Sequence, residues 1–280
     1  MNKHHYSLGF SPCPNDTYIF AALVNGWIDT QRLTFKAVLA DVEHLNQHAL
    51  KAEFDITKLS FGVLPHVMNS YCILQSGSAI GNACGPLIIS KHPATIEQLS
   101  EMRLGIPGKM TSAYVFYRMF APQPKEIKEM LFSDIEDALF HNEIDAGLII
   151  HENRFTYQQK GLLKIADVGS LWEDKFHLPV PLGAITAKND IPPNELKTID
   201  SLIKQSIEYA NSHPLQVMEY VRKYAQELDE KVMKQHIELY VNENSLVRSP
   251  EAEQAILVFI QQALALGIRK DLDESIINKK

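Results

Sequence analysis

The sequence has few cysteines, and their arrangement excludes a disulfide-stabilised secreted domain. Among 280 residues there are three, Cys13, Cys72 and Cys84, and no two of them have the Cys-x-x-Cys spacing. Three thiols cannot all pair, whereas small secreted domains carry a dense and even-numbered set. We therefore expect free thiols and a reducing compartment.

Long apolar runs and an excess of positive charge are also missing. One of the longest apolar stretches, from Ala255 to Leu266, is interrupted by Gln261 and Gln262 and is shorter than the roughly 20 residues needed to cross a bilayer. The 27 Lys and Arg against 34 Asp and Glu give a net charge of -7, so no overall positive field attracts nucleic acid or an anionic membrane. We expect neither partner.

The first residues lack the features of an export signal. Met1–Tyr6 is polar, and Phe10 is followed closely by Pro12 and Pro14. A secretory signal needs a positive start, then an apolar run and a small-residue cleavage site. Together with the cysteine usage, this predicts a cytoplasmic protein.

The composition and patterning that are present indicate a two-lobed α/β protein. The chain is 45% hydrophobic and 22% charged, with 13 Gly and 14 Pro, which excludes a collagen-like or disordered chain. Its 280 residues are near the upper limit for a single core. Short apolar runs alternate with amphipathic stretches, as in strands covered by helices. We expect two α/β lobes with a cleft between them.

Two similar extended segments divide the chain. Pro86–Lys91 and Pro181–Lys188 both begin with Pro-Leu and end on Lys, and a self-contained α/β block lies between them. Interpreted as two crossings, they predict a large discontinuous lobe, residues 1–91 and 185–280, and a smaller inserted lobe, residues 92–184. The two crossings would form a hinge.

The loop Ser11–Thr17 is the first candidate for ligand binding. It joins a predicted strand, Tyr6–Phe10, to a helix predicted from about Asp16, which Asn15 or Asp16 can cap. Free amides at a helix N-terminus bind anionic or carbonyl groups. The alternative is a proline-stiffened loop with an ordinary cap. Cys13 has no local histidine partner and is a poor candidate nucleophile.

Two further candidate segments lie at the end of a predicted strand or directly after one. Thr57–Ser60 brings Lys58 and two hydroxyls to a strand end, where ligands of open α/β sheets bind. Lys58 could hold a substrate carboxylate, and the alternative is a surface lysine. In the inserted lobe, Pro107–Ala113 opens a helix that Thr111 or Ser112 can cap, with a plain capped helix as the alternative. The Walker spacing is absent, so this segment is no P-loop.

His151 is the candidate general base. It follows a predicted buried strand, Asp145–Ile150, and precedes the polar turn Glu152–Arg154. An unperturbed imidazole has a pKa of about 6.5 and accepts a proton near neutrality. The alternative is a structural histidine, as most of the 11 histidines must be. We expect no metal, because His4 and His5 are only an adjacent pair near the terminus and the His-Glu-x-x-His motif is missing.

These motifs together resemble a known family. Gly9–Phe20, which reads Gly-Phe-Ser-Pro-Cys-Pro-Asn-Asp-Thr-Tyr-Ile-Phe, is similar to the N-terminal segment of the 1,4-dihydroxy-6-naphthoate synthases, enzymes of menaquinone biosynthesis by the futalosine route. Ile149–Tyr157 resembles the histidine segment of the same family. Membership implies a type II periplasmic-binding-protein-like fold that acts as an enzyme without a metal or organic cofactor.

The resemblance also implies a reaction and a site. The small-molecule substrate would be cyclic dehypoxanthine futalosine, which a lyase splits into 1,4-dihydroxy-6-naphthoate and a sugar-derived fragment, with His151 as the proton acceptor. Two alternatives stay open: a non-catalytic receptor of the same fold, and the chorismate dehydratase of the same pathway. The sequence sets no oligomeric state. Besides His151, the expected site consists of Asn15, Asp16, Lys58, Leu59, Ser60, Thr111, Ser112 and Ala113.

Overall fold

Strands and helices alternate over the first two thirds of the chain in the computed structural model, which describes residues 4–225 and 229–269. The strands are β1 His4–Phe10, β2 Leu33–Leu39, β3 Ile56–Ser60, β4 Tyr71–Ile73, β5 Ala79–Gly81, β6 Leu87–Ser90, β7 Arg103–Ile106, β8 Glu126–Glu129, β9 Ala146–Ile149, β10 Leu163–Asp167 and β11 Val180–Lys188. The α-helices are α1 Pro14–Val24, α2 Val42–Ala49, α3 Leu64–Val67, α4 Ser112–Phe120, α5 Ile135–Phe140, α6 Asn153–Thr156, α7 Val168–Phe176, α8 Pro193–Ser212, α9 Pro214–Arg222, α10 Glu230–Tyr240, α11 Glu243–Leu246 and α12 Pro250–Ala265. Short 3-10 helices lie at Phe61–Val63, Glu97–Glu101 and Phe132–Asp134.

The first sheet has the strand order β2-β1-β3-β11-β4, and β5 also pairs with β11. Strand β1 is parallel to β2 and β3, while β11 runs antiparallel to β3, β4 and β5. Because β1 and β3 are parallel, their carboxyl ends, Phe10 and Ser60, open on the same edge of the sheet. The loops that follow these two strands therefore lie side by side.

The second sheet has the strand order β10-β6-β9-β7-β8. Strand β7 is parallel to β8 and β9, and β6 is antiparallel to β9 and β10. The parallel strands β7 and β9 end at Ile106 and Ile149, so the loop before α4 and the loop that carries His151 share one edge. The two sheets with their helices confirm the predicted α/β class with two lobes.

The two similar segments belong to different sheets, so the interpretation of Pro86–Lys91 as a crossing is wrong. Leu87–Ser90 is β6, paired on both sides within the second sheet, whereas β11 belongs to the first. All four side chains of β6 are buried, which a strand inside a sheet allows and an isolated connection does not. The chain leaves the first sheet after β5 and returns at β11, where Gly81 pairs with Val180. The limits of the lobes given above stay a prediction.

An aromatic cluster joins the two lobes. Phe259 of α12 packs against Phe116 of α4 and Trp172 of α7, with ring centroids 5.0 and 6.1 Å apart. On its other side it meets Phe61, directly after β3, at 6.4 Å. All four rings are fully buried, and burying such a side chain contributes about 1.5–3 kcal/mol. Helix α12 thereby fixes how the second lobe sits on the first.

Helix α1 begins earlier than the sequence pattern predicts. Its N-cap is Cys13 and its first helical residue is Pro14, so the expected cap at Asn15 or Asp16 is wrong. Proline is favourable at the first helical position because its φ is already helical and it has no amide hydrogen to leave unpaired. The Asp16 carboxylate instead turns back and accepts hydrogen bonds from Ser11 N and Oγ, at 3.2 and 2.8 Å.

The link between β5 and β6 provides a packing test. A Cβ at Gly85 would lie 2.2 Å from Gly169 Cα, so Gly85→Ala should force the start of α7 away and lower the free energy of unfolding by about 1–3 kcal/mol. Ala83 in the same link has a φ of 52°, which favours glycine, so Ala83→Gly should leave the stability equal or higher. Chemical denaturation of both variants checks this, and equal losses would contradict it.

Candidate active site

A pocket lies between the two sheets, at the point where the predicted segments meet. It encloses about 630 Å³ of space, part of it open to solvent. Of the nine predicted site residues, eight line this pocket and Asp16 lies behind its wall. The lining residues come from both lobes: Asn15, Val42, Lys58, Leu59, Ser60, Ala79, Cys84, Gly85, Pro86, Thr111, Ser112, Ala113, Ile150, His151, Leu182, Gly183 and Tyr240.

The N-terminus of α1 reaches the pocket at Asn15. Cys13 provides no side-chain cap, and a first helical hydrogen bond runs from Thr17 N to Cys13 O at 3.0 Å. The amides of Asn15 and Asp16 therefore precede the intrahelical ladder. Such amides, together with the positive end of the helix dipole, favour an anionic or carbonyl oxygen.

The N-terminus of α4 reaches the same pocket from the second lobe. Thr111 is its N-cap, and its hydroxyl donates to Gly108 O at 2.7 Å. The Ser112 hydroxyl donates to Leu182 O at 2.5 Å. Both hydroxyls are thus used within the protein, so the groups left for a ligand are the first-turn amides of Ser112 and Ala113.

Lys58 is buried and ion-paired beneath the pocket. Its Nζ lies 3.5 Å from Asp16 Oδ1 and donates to Gly77 O at 2.8 Å. Asp16 also accepts hydrogen bonds from Ser11 and from Asn15 Nδ2, so the pair has the additional hydrogen bonds that buried charges need. Only 5% of Lys58 is exposed, so the alternative of a surface lysine is wrong. One N–H of its ammonium is left for a ligand.

His151 borders the pocket shortly after β9, with a φ of 57°. That left-handed conformation is uncommon outside glycine, and such strain concentrates at functional positions. Its ring packs on Phe132, with centroids 4.8 Å apart, and its Nε2 is buried with no hydrogen-bond partner in the described part of the chain. Burial lowers the pKa of His151; Asp41 and Asp16 oppose this shift and Lys58 adds to it. The imidazole is therefore neutral at neutral pH, as a base must be.

His236 of α10 lies outside the predicted site, yet it is fully buried behind His151. The two rings are stacked, with centroids 6.0 Å apart and planes 22° apart, and His236 Nε2 lies 2.9 Å from Asn15 Oδ1. The sequence signal for this residue is weak, because it follows a charge-alternating segment typical of a solvated face. Only its helical spacing from Tyr240, which lines the pocket, places it on the buried side.

Asn46 of α2 is a second residue that sequence reasoning missed. Its Oδ1 accepts from Ser60 N at 3.0 Å, and its Nδ2 donates to Met110 O at 3.4 Å. One fully buried side chain thus holds the end of β3 in the first lobe and the loop before α4 in the second. No local pattern marks such a residue, since both of its partners are distant in the sequence.

Cys13, His151 and Glu152 bring donor atoms within 4.8 Å of one another. Cys13 is far from the other two in the sequence, so no spacing motif predicts the cluster. Burial, and then the carboxylate of Glu152, raise the pKa of the Cys13 thiol well above its usual value, whereas metals bind the thiolate. With no metal bound, the Cys13 thiol is therefore protonated at neutral pH.

Two α/β lobes around a shared ligand pocket are the architecture of periplasmic-binding-protein-like folds, and solved structures confirm this class. Protein AF1704 from Archaeoglobus fulgidus superposes with a TM-score of 0.90 at 28% identity, over 96% of this chain and 100% of that one. The alkanesulfonate-binding protein SsuA from Xanthomonas axonopodis superposes with a TM-score of 0.72 at 11% identity, over 96% of this chain and 95% of that one.

The chain belongs to the menaquinone biosynthesis family, whose model matches residues 6–265. It is 39% identical to the 1,4-dihydroxy-6-naphthoate synthase of Thermus thermophilus over 263 residues, 93% of this chain and 94% of that one. It is 35% identical to the protein of the same name from Streptomyces coelicolor over 273 residues, 96% of each chain. These findings confirm the resemblance and make the protein an enzyme of menaquinone biosynthesis. None of the described helices is long and apolar enough to span a membrane.

The thiol pKa values predict slow thiol chemistry in the folded protein. Burial raises the pKa of Cys13 well above its usual value and that of Cys84 to about 12, so the reactive thiolate is scarce near pH 8 and increases only as the pH rises. A disulfide reagent at about that pH should modify both thiols slowly before unfolding and rapidly after it. Half-buried Cys72 is the internal comparison. Fast labelling of native Cys13, located by peptide mapping, would contradict this.

Proposed function

We propose that the protein is the lyase that converts cyclic dehypoxanthine futalosine into 1,4-dihydroxy-6-naphthoate, with His151 as the general base in the interlobe pocket. The observation that carries this proposal is the placement of a neutral imidazole at a pocket that two helix N-termini reach from opposite lobes. The two synthases among the relatives support the choice of substrate. We place the enzyme in the cytoplasm, which the free cysteines support.

Removal of a proton beside a carbonyl fits this geometry. His151 accepts the proton, and the electron pair left on carbon moves onto the carbonyl oxygen to form an enolate. Collapse of the enolate breaks the neighbouring carbon–carbon bond, and the sugar-derived fragment leaves with the electron pair of that bond and takes up one proton, while His151 gives up the proton that it accepted. The naphthalene ring that forms gains aromatic stabilisation. A positioned base contributes about 10²–10⁴ in rate. Amides near Asn15 stabilise the developing negative charge.

The substrate carboxylate is assigned to the α4 side of the pocket. There the amides of Ser112 and Ala113 are available, and Ser112 is bonded to Leu182 O. Lys58 lies beside the next residue along β11, since a Cβ at Gly183 would be 3.6 Å from Lys58 Cε. Lys58 and the start of α4 thus both contact the Leu182–Gly183 segment of β11. One ion-paired cation and one helix terminus suit a single small carboxylate.

Replacement of the base should remove turnover without unfolding the protein. We expect His151→Asn, chosen because asparagine tolerates a left-handed φ, to lower kcat by about 10²–10⁴. His44→Gln, at an exposed histidine of α2, is the matched control and should leave kcat unchanged. The assay incubates purified protein with cyclic dehypoxanthine futalosine and detects the naphthoate by absorbance and mass.

Near wild-type turnover by a folded His151→Asn variant would show that the base is wrongly assigned. Binding of the substrate by the wild-type protein without turnover would instead indicate a receptor of the same fold. Conversion of chorismate, when it is supplied in place of cyclic dehypoxanthine futalosine, would indicate the chorismate dehydratase.

The lowered pKa of His151 sets the sign of the pH dependence. The imidazole must be neutral to accept a proton. The value of kcat/KM is therefore constant at pH values above the pKa of His151 in the folded protein, and it falls as the pH drops through that pKa. Because burial lowers this pKa, the midpoint of the acid limb should lie below the usual value of about 6.5. A pH–rate profile measures it, and a midpoint above that value, absent from the His151→Asn variant, would contradict the assignment.

A further inference from the structure

A line of polar contacts runs beneath the pocket from Lys58 to His236. Lys58 Nζ lies 3.5 Å from Asp16 Oδ1, and Asn15 Nδ2 donates to the same oxygen at 2.9 Å. Asn15 Oδ1 in turn lies 2.9 Å from His236 Nε2. A carboxylate can only accept hydrogen bonds, so the NH₂ group of Asn15 must face Asp16 and its oxygen must face His236.

This order of donors fixes the protonation of His236. Since Asn15 Oδ1 is an acceptor, His236 Nε2 must carry the hydrogen. Its Nδ1 is buried and has no hydrogen-bond partner within residues 4–225 and 229–269, so a charged ring would bury an unpaired N–H there. The other tautomer would in addition place two lone pairs against each other at Asn15. His236 is therefore neutral, which agrees with the lowering of its pKa by burial and then by His151.

The groups around His236 leave its ring uncharged, so it does not oppose protonation of His151. The titratable groups that face it are His151 after β9, Tyr240 on its own helix at a ring distance of 4.6 Å, and, through Asn15, the carboxylate of Asp16. Burial raises the pKa of Tyr240, so this phenol is neutral. A neutral His236 does not repel the positive charge that His151 gains when it accepts a proton.

We propose that His236 is a positioning residue whose Nε2–H, together with the Asp16 carboxylate, holds the Asn15 amide so that its nitrogen, and not its oxygen, is offered to the pocket. Of the two hydrogens on Asn15 Nδ2, one is donated to Asp16 and the second is left for a ligand. The pocket wall at Asn15 thus selects a hydrogen-bond acceptor, such as the carbonyl oxygen that becomes the enolate. This inference rests on the proposed function, in which His151 and Asn15 act on the same carbonyl group.

Two substitutions separate this role from a purely structural one. His236→Phe keeps an aromatic ring beside His151 but removes the donor, whereas His236→Gln keeps a donor at similar reach. We expect the Phe variant to lose about tenfold or more in kcat and the Gln variant to recover most of that loss, with unfolding midpoints that do not follow this order. In an Asn15→Leu background, His236→Phe should cause little further loss, because both residues act through one bond.

Wild-type kcat in a folded His236→Phe variant, or fully additive losses in the double variant, would overturn the inference. A second measurement needs no turnover: long-range ¹H–¹⁵N correlations of ¹⁵N-histidine-labelled protein, with the His236 signals identified by their loss in His236→Phe. They should show a neutral ring with its hydrogen on Nε2 at neutral pH. A charged ring or an Nδ1–H tautomer overturns the inference even in an active enzyme, whereas an inactive wild type with the expected tautomer overturns the proposed function alone.

Discussion

The buried ion pair of Lys58 and Asp16 is the constraint on which the site depends. It ties β3 to the first turn of α1, and the two residues are only 5% and 2% exposed. Loss of one partner from such a pair leaves an uncompensated buried charge and costs about 3–5 kcal/mol. Because Asp16 is fixed, the neighbouring Asn15 amide has one orientation, and through it His236 has one tautomer. The Lys58–Asp16 pair behind the pocket wall therefore determines that Asn15 presents a hydrogen-bond donor, and not an acceptor, to the pocket.

The topology turns this local constraint into a site. The parallel strands β1 and β3 of one sheet, and β7 and β9 of the other, end toward the same cleft, so α1 and α4 both begin at the pocket. Two helix N-termini bring first-turn amides and the positive ends of their dipoles to the pocket, in a chain whose net charge is -7. These surroundings favour an anionic substrate and a developing enolate. Burial disfavours a charged His151, while Asp41 and Asp16 favour it, so the imidazole is kept neutral but is a weaker base.

Local sequence patterns could predict the parts of the site that follow strand ends. The segment Thr57–Ser60 forms the end of β3, while Pro107–Ala113 and His151 follow β7 and β9. They were recognisable because a position at or after the end of an apolar strand is a local property. His236 was not, because it bonds to a residue 221 positions away. The sheet to which Leu87–Ser90 belongs likewise depends on its pairing with strands that are distant in the sequence. The early start of α1 is a local feature, because Pro14 occupies the first helical position. The prediction of a later start came from Asn15 and Asp16, which are favourable N-cap residues.

The central claim is that the substrate lies between the two helix N-termini with its reacting carbonyl at Asn15 and His151. A crystal structure of the protein with 1,4-dihydroxy-6-naphthoate bound tests this most directly. The account predicts the product carboxylate on the amides of Ser112 and Ala113, and a ring oxygen within hydrogen-bond distance of Asn15 Nδ2 beside His151. A product bound outside the interlobe pocket, or turned so that its carboxylate faces His151, would contradict it.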